Sequence, residues 1–311
     1  ARVTLLGVDY DMVAMTAAMP TGTLRDIRKA CDGGADGMLV AAAETLVGVL
    51  TWASGCVVAA STFVQSLRSA VAKAKHNGWS SIHVTRRLRK DLGWWVALVD
   101  SGTAGDGVQL LPVLTDVAEV WWGDAGSEWG MGAHSTSTFY KAKMPKHVEV
   151  TAQQRKRLSS KYLELFQLLV LARLRSKTWS GKHVRVHVDN HALKPLFAKM
   201  YSNKDAQNDI LREIALLQAR DAWSWELLWV PRGLNEAADA LSKSDMEKFK
   251  RLQPRATQML QVSDSHVRPP SLELLCEDDS GGAAQGAEAT SSQGIAGVWA
   301  HARSRWVHGV A

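Results

Sequence analysis

Four acidic residues, Asp124, Glu164, Asp189 and Asp239, sit where carboxylates can serve hydrolytic chemistry. Asp124 ends the apolar stretch VAEVWW, and the glycines of AGSEWGMGA permit a tight return into a second strand, leaving the carboxylate at a strand end facing a turn. Glu164 is expected in the first turn of a helix around KYLELFQLL, off the buried stripe of Leu165, Leu168, Leu169 and Ala172. In HVRVHVDN, Val184, Val186 and Val188 form one apolar face, and Asp189 ends the strand on the other face with Arg185 and His187. Pro231 and Gly233 end a further strand and Asn235 is placed to start a helix, which sets Asp239 about one turn into it.

Two strand ends and two helix beginnings, each contributing an acid, form the donor set that two hard cations need. Carboxylate oxygens suit magnesium, and two such ions about 3.5 to 4 Å apart can clamp the attacking and leaving oxygens of a phosphodiester. Spacing alone does not make the four converge, because 31 acidic residues supply many element ends by chance. Asp116 in LTD is a rival for the first acid, but it opens the strand and lacks the glycine-rich return. His183, His187, Asp189 and His191 allow a zinc reading, for which no tetrahedral partner set is evident; surface histidines are the plainer alternative. No glycine-rich loop with G-K-[ST] supports an ATP-driven motor.

The elements that must position these acids read as strands at 117–124 and 129–139, a short third strand near 147–151, and a helix at 160–176. They continue with a strand at 183–189, helices at 191–200 and 205–220, a strand at 224–230 and a helix at 234–248. Strands alternating with helices make residues 106–250 an α/β domain. The glycine-rich segment SGTAGDG marks its boundary near 105. Residues 1–20 read as a hairpin around Asp9 and Asp11, and 21–105 as mostly helical. There the basic run Arg86, Arg87, Arg89 and Lys90 precedes an apolar end with Trp94 and Trp95. It fits a helix lying along a phosphate backbone, or a solvated face with a buried end. A second basic stretch holds Lys141, Lys143, Lys146 and His147. Residues 251–311, with EDDSGGAAQGAEATSSQG, read as a disordered tail.

Composition sets the outer limits. Hydrophobic residues at 46% and charged residues at 22% are those of a globular chain, and the +6 net charge suits a polyanionic partner. Cys31, Cys56 and Cys276 are too far apart for a zinc finger or a disulfide framework, so a reducing, intracellular setting is expected, cytoplasm and nucleus being indistinguishable. Residues 45–64 are long enough to span a bilayer. They are diluted by Thr45, Gly48, Thr51, Ser54, Gly55, Ser61 and Thr62 and lack aromatic and basic flanks, so two buried helices meeting near Gly55, and no membrane partner, are expected. The chain opens with Ala1 and carries no secretory signal pattern, which reads as a piece of a longer polyprotein. Thirteen Trp against five Phe and four Tyr could stack on bases or simply fill a core.

The strings around the acids occur in a telling order: WGDAGSEWGMGA at 122–133, KYLELFQLL at 161–169, VRVHVDNHAL at 184–193 and VPRGLNEAADALSK at 230–243. Together they resemble the ribonuclease H domain of retroelement reverse transcriptases, nearest to DIRS-type retrotransposons. Upstream, VTLLGVDYDMVAMTAAMP resembles the primer-grip hairpin that follows the polymerase palm, LVGVLTWASGCVVAASTFVQSLRSAV a helical thumb, and RRLRKDLGWWVAL the connection into ribonuclease H. The resemblance covers roughly residues 2–245. It implies a ribonuclease H-like mixed five-stranded sheet with flanking helices, preceded by a mostly helical thumb-and-connection region.

It also implies that Asp124, Glu164, Asp189 and Asp239 hold two Mg2+ ions, with Mn2+ as a substitute, one serving the attacking water and the other the departing 3'-oxygen. The RNA strand of an RNA/DNA hybrid would be cut to leave a 5'-phosphate and a 3'-hydroxyl. Ser127, Asn190 and Asn235 are placed to sense the 2'-hydroxyl, with turn and helix capping as their plainer reading. Duplex grip would fall to Arg86, Arg87, Arg89 and Lys90. Gly126 stands where the family often has Ser, and no His precedes Asp239 in its loop, which touches turnover more than chemistry. The polymerase signature is missing, CEDD at 276–279 being a solvated acidic run. No DNA synthesis is expected from this chain alone, and the palm and fingers of a reverse transcriptase would be its missing partner. The alternative is a degenerate or domesticated fragment that binds nucleic acid without cutting it.

Overall fold

A computed structural model describes residues 2–5, 8–11, 16–34, 37–57, 59–102, 108–109, 116–126, 130–148 and 160–270. The chain divides between Leu111 and Pro112 into two compact units. Ser127, the segment 103–107, the CEDD run and residues 271–311 lie outside the described residues.

In the first unit, β1 (Arg2–Leu5), β2 (Val8–Asp11) and β3 (Thr16–Ala18) pair antiparallel in sequence. The hairpin expected over 2–20 is thus three strands, with Asp9 and Asp11 inside β2 rather than between strands. The helix α1 (Thr21–Gly33) turns Leu24, Ile27, Ala30 and Cys31 inward at helical spacing. After β4 (Met38–Leu39), α2 (Val40–Ala53) stops short of Gly55, and Ala60–Val64 form a 3-10 turn leading into α3 (Gln65–His76). The apolar run at 45–64 is therefore broken into two short pieces. Among the described residues, no helix is long and apolar enough to cross a membrane. β5 (Ser81–Ile82) pairs with β4, and α4 (Arg86–Asp100) starts at Thr85, whose side chain accepts the Leu88 amide. Trp94 and Trp95 of α4 are fully buried, Trp94 against Phe63 at 4.3 Å between ring centres. Arg28 of α1 clasps Asp100 at 2.5 and 3.2 Å. β6 (Val108–Gln109) pairs with β3 and completes a four-stranded sheet.

The second unit is α/β. β7 (Val117–Gly126), β8 (Gly130–His134) and β9 (Thr138–Ala142) form an antiparallel meander. The strand expected at 129–139 is broken at Ser135, whose amide bonds the Thr138 carbonyl at 2.8 Å; Ser and Thr at 135–138 read as strand formers but make the turn. The third strand of the meander is β9; of the segment expected near 147–151, residues 147–148 are helical and 149–151 lie outside the described residues. α5 (Ser160–Arg175) and a 3-10 turn (Ser176–Trp179) lead to β10 (His183–Val188). α6 (Lys194–Lys199) and α7 (Asp205–Arg220) follow, then β11 (Ser224–Trp229). β10 runs parallel to both β7 and β11.

A 3-10 turn (Arg232–Leu234) precedes α8 (Glu236–Ser242) and α9 (Met246–Leu252). The single helix expected at 234–248 is broken where Ser244 takes φ +60° and Asp245 caps α9 by accepting the Lys248 amide at 3.0 Å. β12 (Gln258–Met259) then pairs parallel with β9, and α10 (Asp264–Val267) follows. The sheet therefore has six strands in the order β11-β10-β7-β8-β9-β12, not five, and residues 251–270 belong to this unit rather than to a tail.

Helix α5 is buried at every position from Tyr162 to Ala172, so it carries no polar stripe over that stretch. Where it packs on β7, a Cβ added to Gly123 would come within 2.6 Å of the Gln167 amide. Where α8 packs on β8, a Cβ on Gly132 would come within 2.6 Å of Leu241 Cβ. These two glycines let helices approach the sheet closely, and both approaches deliver acids to one end of it.

Candidate active site

Asp124, Glu164, Asp189 and Asp239 line one cavity of about 760 Å³, together with Ser160, Asn190, His191, Arg232, Ser242 and Lys243. Each acid comes from a different element. Asp124 lies within β7 and pairs with Gly132 of β8, inside the ladder rather than at a strand end facing a turn. Its Oδ2 is 2.5 Å from the Ser242 hydroxyl, which also lies 2.9 Å from the Asp239 carbonyl, so one proton serves two acceptors. Burial raises the Asp124 carboxyl above the usual range against the pull of Ser242, and the charges of Asp189 and Asp239 add to the rise.

Glu164 sits just past the first turn of α5 rather than within it, although the first described residue of the helix, Ser160, is the expected one. It is 5% exposed. Asn190 donates to its Oε1 at 3.0 Å, while its Oε2 is buried without a hydrogen-bond partner. Burial first, then the charges of Asp189 and Asp124, push its carboxyl up to about 8 despite Asn190. Asp189 follows the last residue of β10, where the Trp229 indole donates to its backbone carbonyl at 3.0 Å and ties the ends of β10 and β11 together. Its carboxyl is raised by burial, with Arg232 opposing.

Asp239 differs from the other three. Arg232 reaches it at 3.1 Å and Lys243, one turn along α8, at 2.9 Å. Burial alone would raise its carboxyl, but these two donors outweigh that and hold it below the usual range.

Of the three residues expected near the 2'-hydroxyl, Asn190 grips Glu164 and also accepts the Ala192 amide at 3.0 Å, combining a turn role with a site role. Asn235 makes no side-chain cap; its Nδ2 donates to the Gly123 carbonyl at 3.0 Å, and its buried Oδ1 has no partner. It fastens α8 beside Asp124. Arg86, Arg87, Arg89 and Lys90 stand on α4 of the first unit, whereas every cavity-lining residue belongs to the second. Asp116 is exposed ahead of β7 and lines no part of the cavity. The histidines do not form a cluster: His183 bonds Ser224 at 2.8 Å, His187 packs edge-on against Trp122, and His191 against Trp229. Arg232, Ser242 and Lys243 were not among the expected site residues, and His191 was weighed only as a zinc ligand. The i, i+4 spacing of Asp239 and Lys243 is a readable ion-pair signal, while Arg232 reaches Asp239 only because a turn folds back over α8.

The residues present fit a hard divalent cation in donor chemistry. All four acids offer oxygen, one buried oxygen has no partner, and three carboxyls are pushed up by burial and by the charges of neighbouring acids of the set. As placed, however, no three His, Cys, Asp or Glu side chains among the described residues stand close enough to hold an ion. Asp239 is turned to its two cationic neighbours instead. No protein-family model and no curated protein matches this chain in sequence.

Proposed function

We propose that the second unit is a ribonuclease H-like nuclease of retroelement reverse-transcriptase type, hydrolysing the RNA strand of RNA/DNA hybrids with two Mg2+ ions, for which Mn2+ can substitute. The observation that carries this reading is the convergence of four acids, from β7, α5, the end of β10 and α8, on one open cavity. The mixed sheet, with a three-stranded meander followed by two parallel strands, agrees with the resemblance. Divalent ions held there would supply charge stabilisation to a phosphodiester and acidify a bound water. The chain's own part is to orient and to hold protons. Asn190 fixes one oxygen of Glu164, the Ser242 proton is shared between Asp124 and the Asp239 backbone carbonyl of the preceding turn, and Glu164 keeps a proton near neutral pH until a cation replaces it. Asn190, half-buried, and His191, exposed, line the cavity, and on this reading they contact an incoming strand. Ser127 remains a proposed contact to the 2'-hydroxyl, and Arg86, Arg87, Arg89 and Lys90 proposed contacts to the duplex backbone.

A second reading, a remnant that binds nucleic acid without cutting it, is favoured by the engagement of Asp239 with Arg232 and Lys243. Cleavage of an end-labelled RNA annealed to DNA, with Mg2+, Mn2+ or EDTA, separates the two. Metal-dependent cutting of the hybrid but not of double-stranded DNA, lost in Asp124→Asn, is expected. Folded protein that binds the hybrid and leaves it intact with either metal would favour the remnant.

A further inference from the structure

Two positive side chains on one proposed ligand are the feature that the nuclease reading does not use. The Asp239 side chain is 12% exposed, whereas its partners Arg232 and Lys243 are 73% and 46% exposed. The pairs are therefore cheap to break: water can resolvate both cations, and exposed ion pairs are worth little. Arg232 is carried by a three-residue 3-10 turn, outside any long helix, and no residue of that turn is buried. Its planar fork suits a phosphate as well as a carboxylate.

Resting on the nuclease reading, we infer that Arg232 and Lys243 are resident counter-cations that couple metal binding to nucleic-acid binding. A divalent ion and the two side chains compete for the same Asp239 oxygens, Oδ1 on Arg232 and Oδ2 on Lys243. When the ion takes Asp239, Arg232 is released at the mouth of the cavity, where a backbone phosphate of the hybrid is its next best partner. Metal binding thus strengthens hybrid binding, and by reciprocity hybrid binding strengthens metal binding.

The test uses the full chain and two binding readouts without turnover: Mn2+ affinity by electron paramagnetic resonance, and affinity for a DNA strand paired with 2'-O-methyl RNA by fluorescence anisotropy. Arg232→Ala and Lys243→Met should each bind Mn2+ tighter than wild type by roughly two- to five-fold, the range an exposed ion pair carries. In wild type, Mn2+ should strengthen duplex binding; in Arg232→Ala that gain should shrink towards none, while Lys243→Met keeps it. Asp239→Asn should bind the duplex in EDTA as wild type does with Mn2+, because its Arg232 is already released. Mn2+ bound equally by wild type and both variants would overturn this inference and leave the nuclease reading standing. A wild type that binds no Mn2+ would overturn both.

Discussion

Glu119 and Asp124 lie five residues apart on the same strand, yet the fold treats them in opposite ways. At the Glu119 end of β7, four tryptophans pack edge to face: Trp121 on Trp179, Trp179 on Trp223 and Trp223 on Trp225. Glu119 accepts from the indoles of Trp121 and Trp179 at 3.0 and 3.1 Å, from Arg175 at 3.1 Å and from Lys182 at 3.3 Å. Burial would raise its carboxyl, and these donors more than cancel that, so it stays below its ordinary value. At the Asp124 end the carboxyls of Asp124, Glu164 and Asp189 are all raised and one buried oxygen has no donor. A carboxylate that the chain itself neutralises serves the fold; carboxylates left repelling one another await something from outside.

The contrast is sharpest in activity. Asp189→Asn or Glu164→Gln should lower hybrid cleavage by roughly a thousand-fold or more, about 4 kcal/mol of transition-state stabilisation, without lowering the melting temperature. Glu119→Gln, once folded, should cleave at close to the wild-type rate; equal losses at both ends would break the comparison.

The next effect belongs to stability. Glu119→Ala strands two indole donors and a partly buried Arg175 and should cost about 2 to 4 kcal/mol in urea denaturation. Asp124→Asn relieves repulsion and should cost far less, or stabilise the metal-free protein.

A pH scan tests the same difference through its sign. In EDTA the raised Glu164 carboxyl makes the folded chain bind a proton that the unfolded chain has lost, between its ordinary 4.5 and about 8. Its contribution is full below 4.5 and disappears as pH rises through about 8. Metal-free stability should therefore fall over that window, with Asp124 and Asp189 acting in the same direction, and Glu164→Gln should flatten the fall. Glu119, lowered instead, contributes stability that is present above 4.5 and lost as pH falls through its folded value.

The smallest effect concerns the close packing that brings the acids together. Gly123→Ala would press a methyl group on Gln167 and should cost about 1 to 3 kcal/mol, measured by thermal unfolding.

Much of the site was legible because each acid follows a strong local pattern: alternating valines before Asp189, apolar aromatics before Asp124, a Pro-Gly break before Asp239. What was not legible depends on contacts distant in sequence. The sixth strand is two residues long and has no period to read; it exists because Thr257 and Gln258 amides reach the Ser137 carbonyl. The full burial of α5 comes from α7 and β7 covering it together, which its own sequence does not reveal. Asn235 looked like a helix cap, and its bond to Gly123 spans 112 positions. Arg232 pairs with Asp239 across a turn whose shape no spacing rule supplies.

The central claim is that a cation completes the carboxyl end of this sheet. Calorimetric titration of the full chain with Mn2+ at pH 7, in two buffers of different ionisation enthalpy, tests it most directly. The account predicts binding accompanied by release of a proton, with Glu164→Gln binding more weakly and releasing none. No binding, or binding that releases no proton and ignores Glu164→Gln, would contradict it.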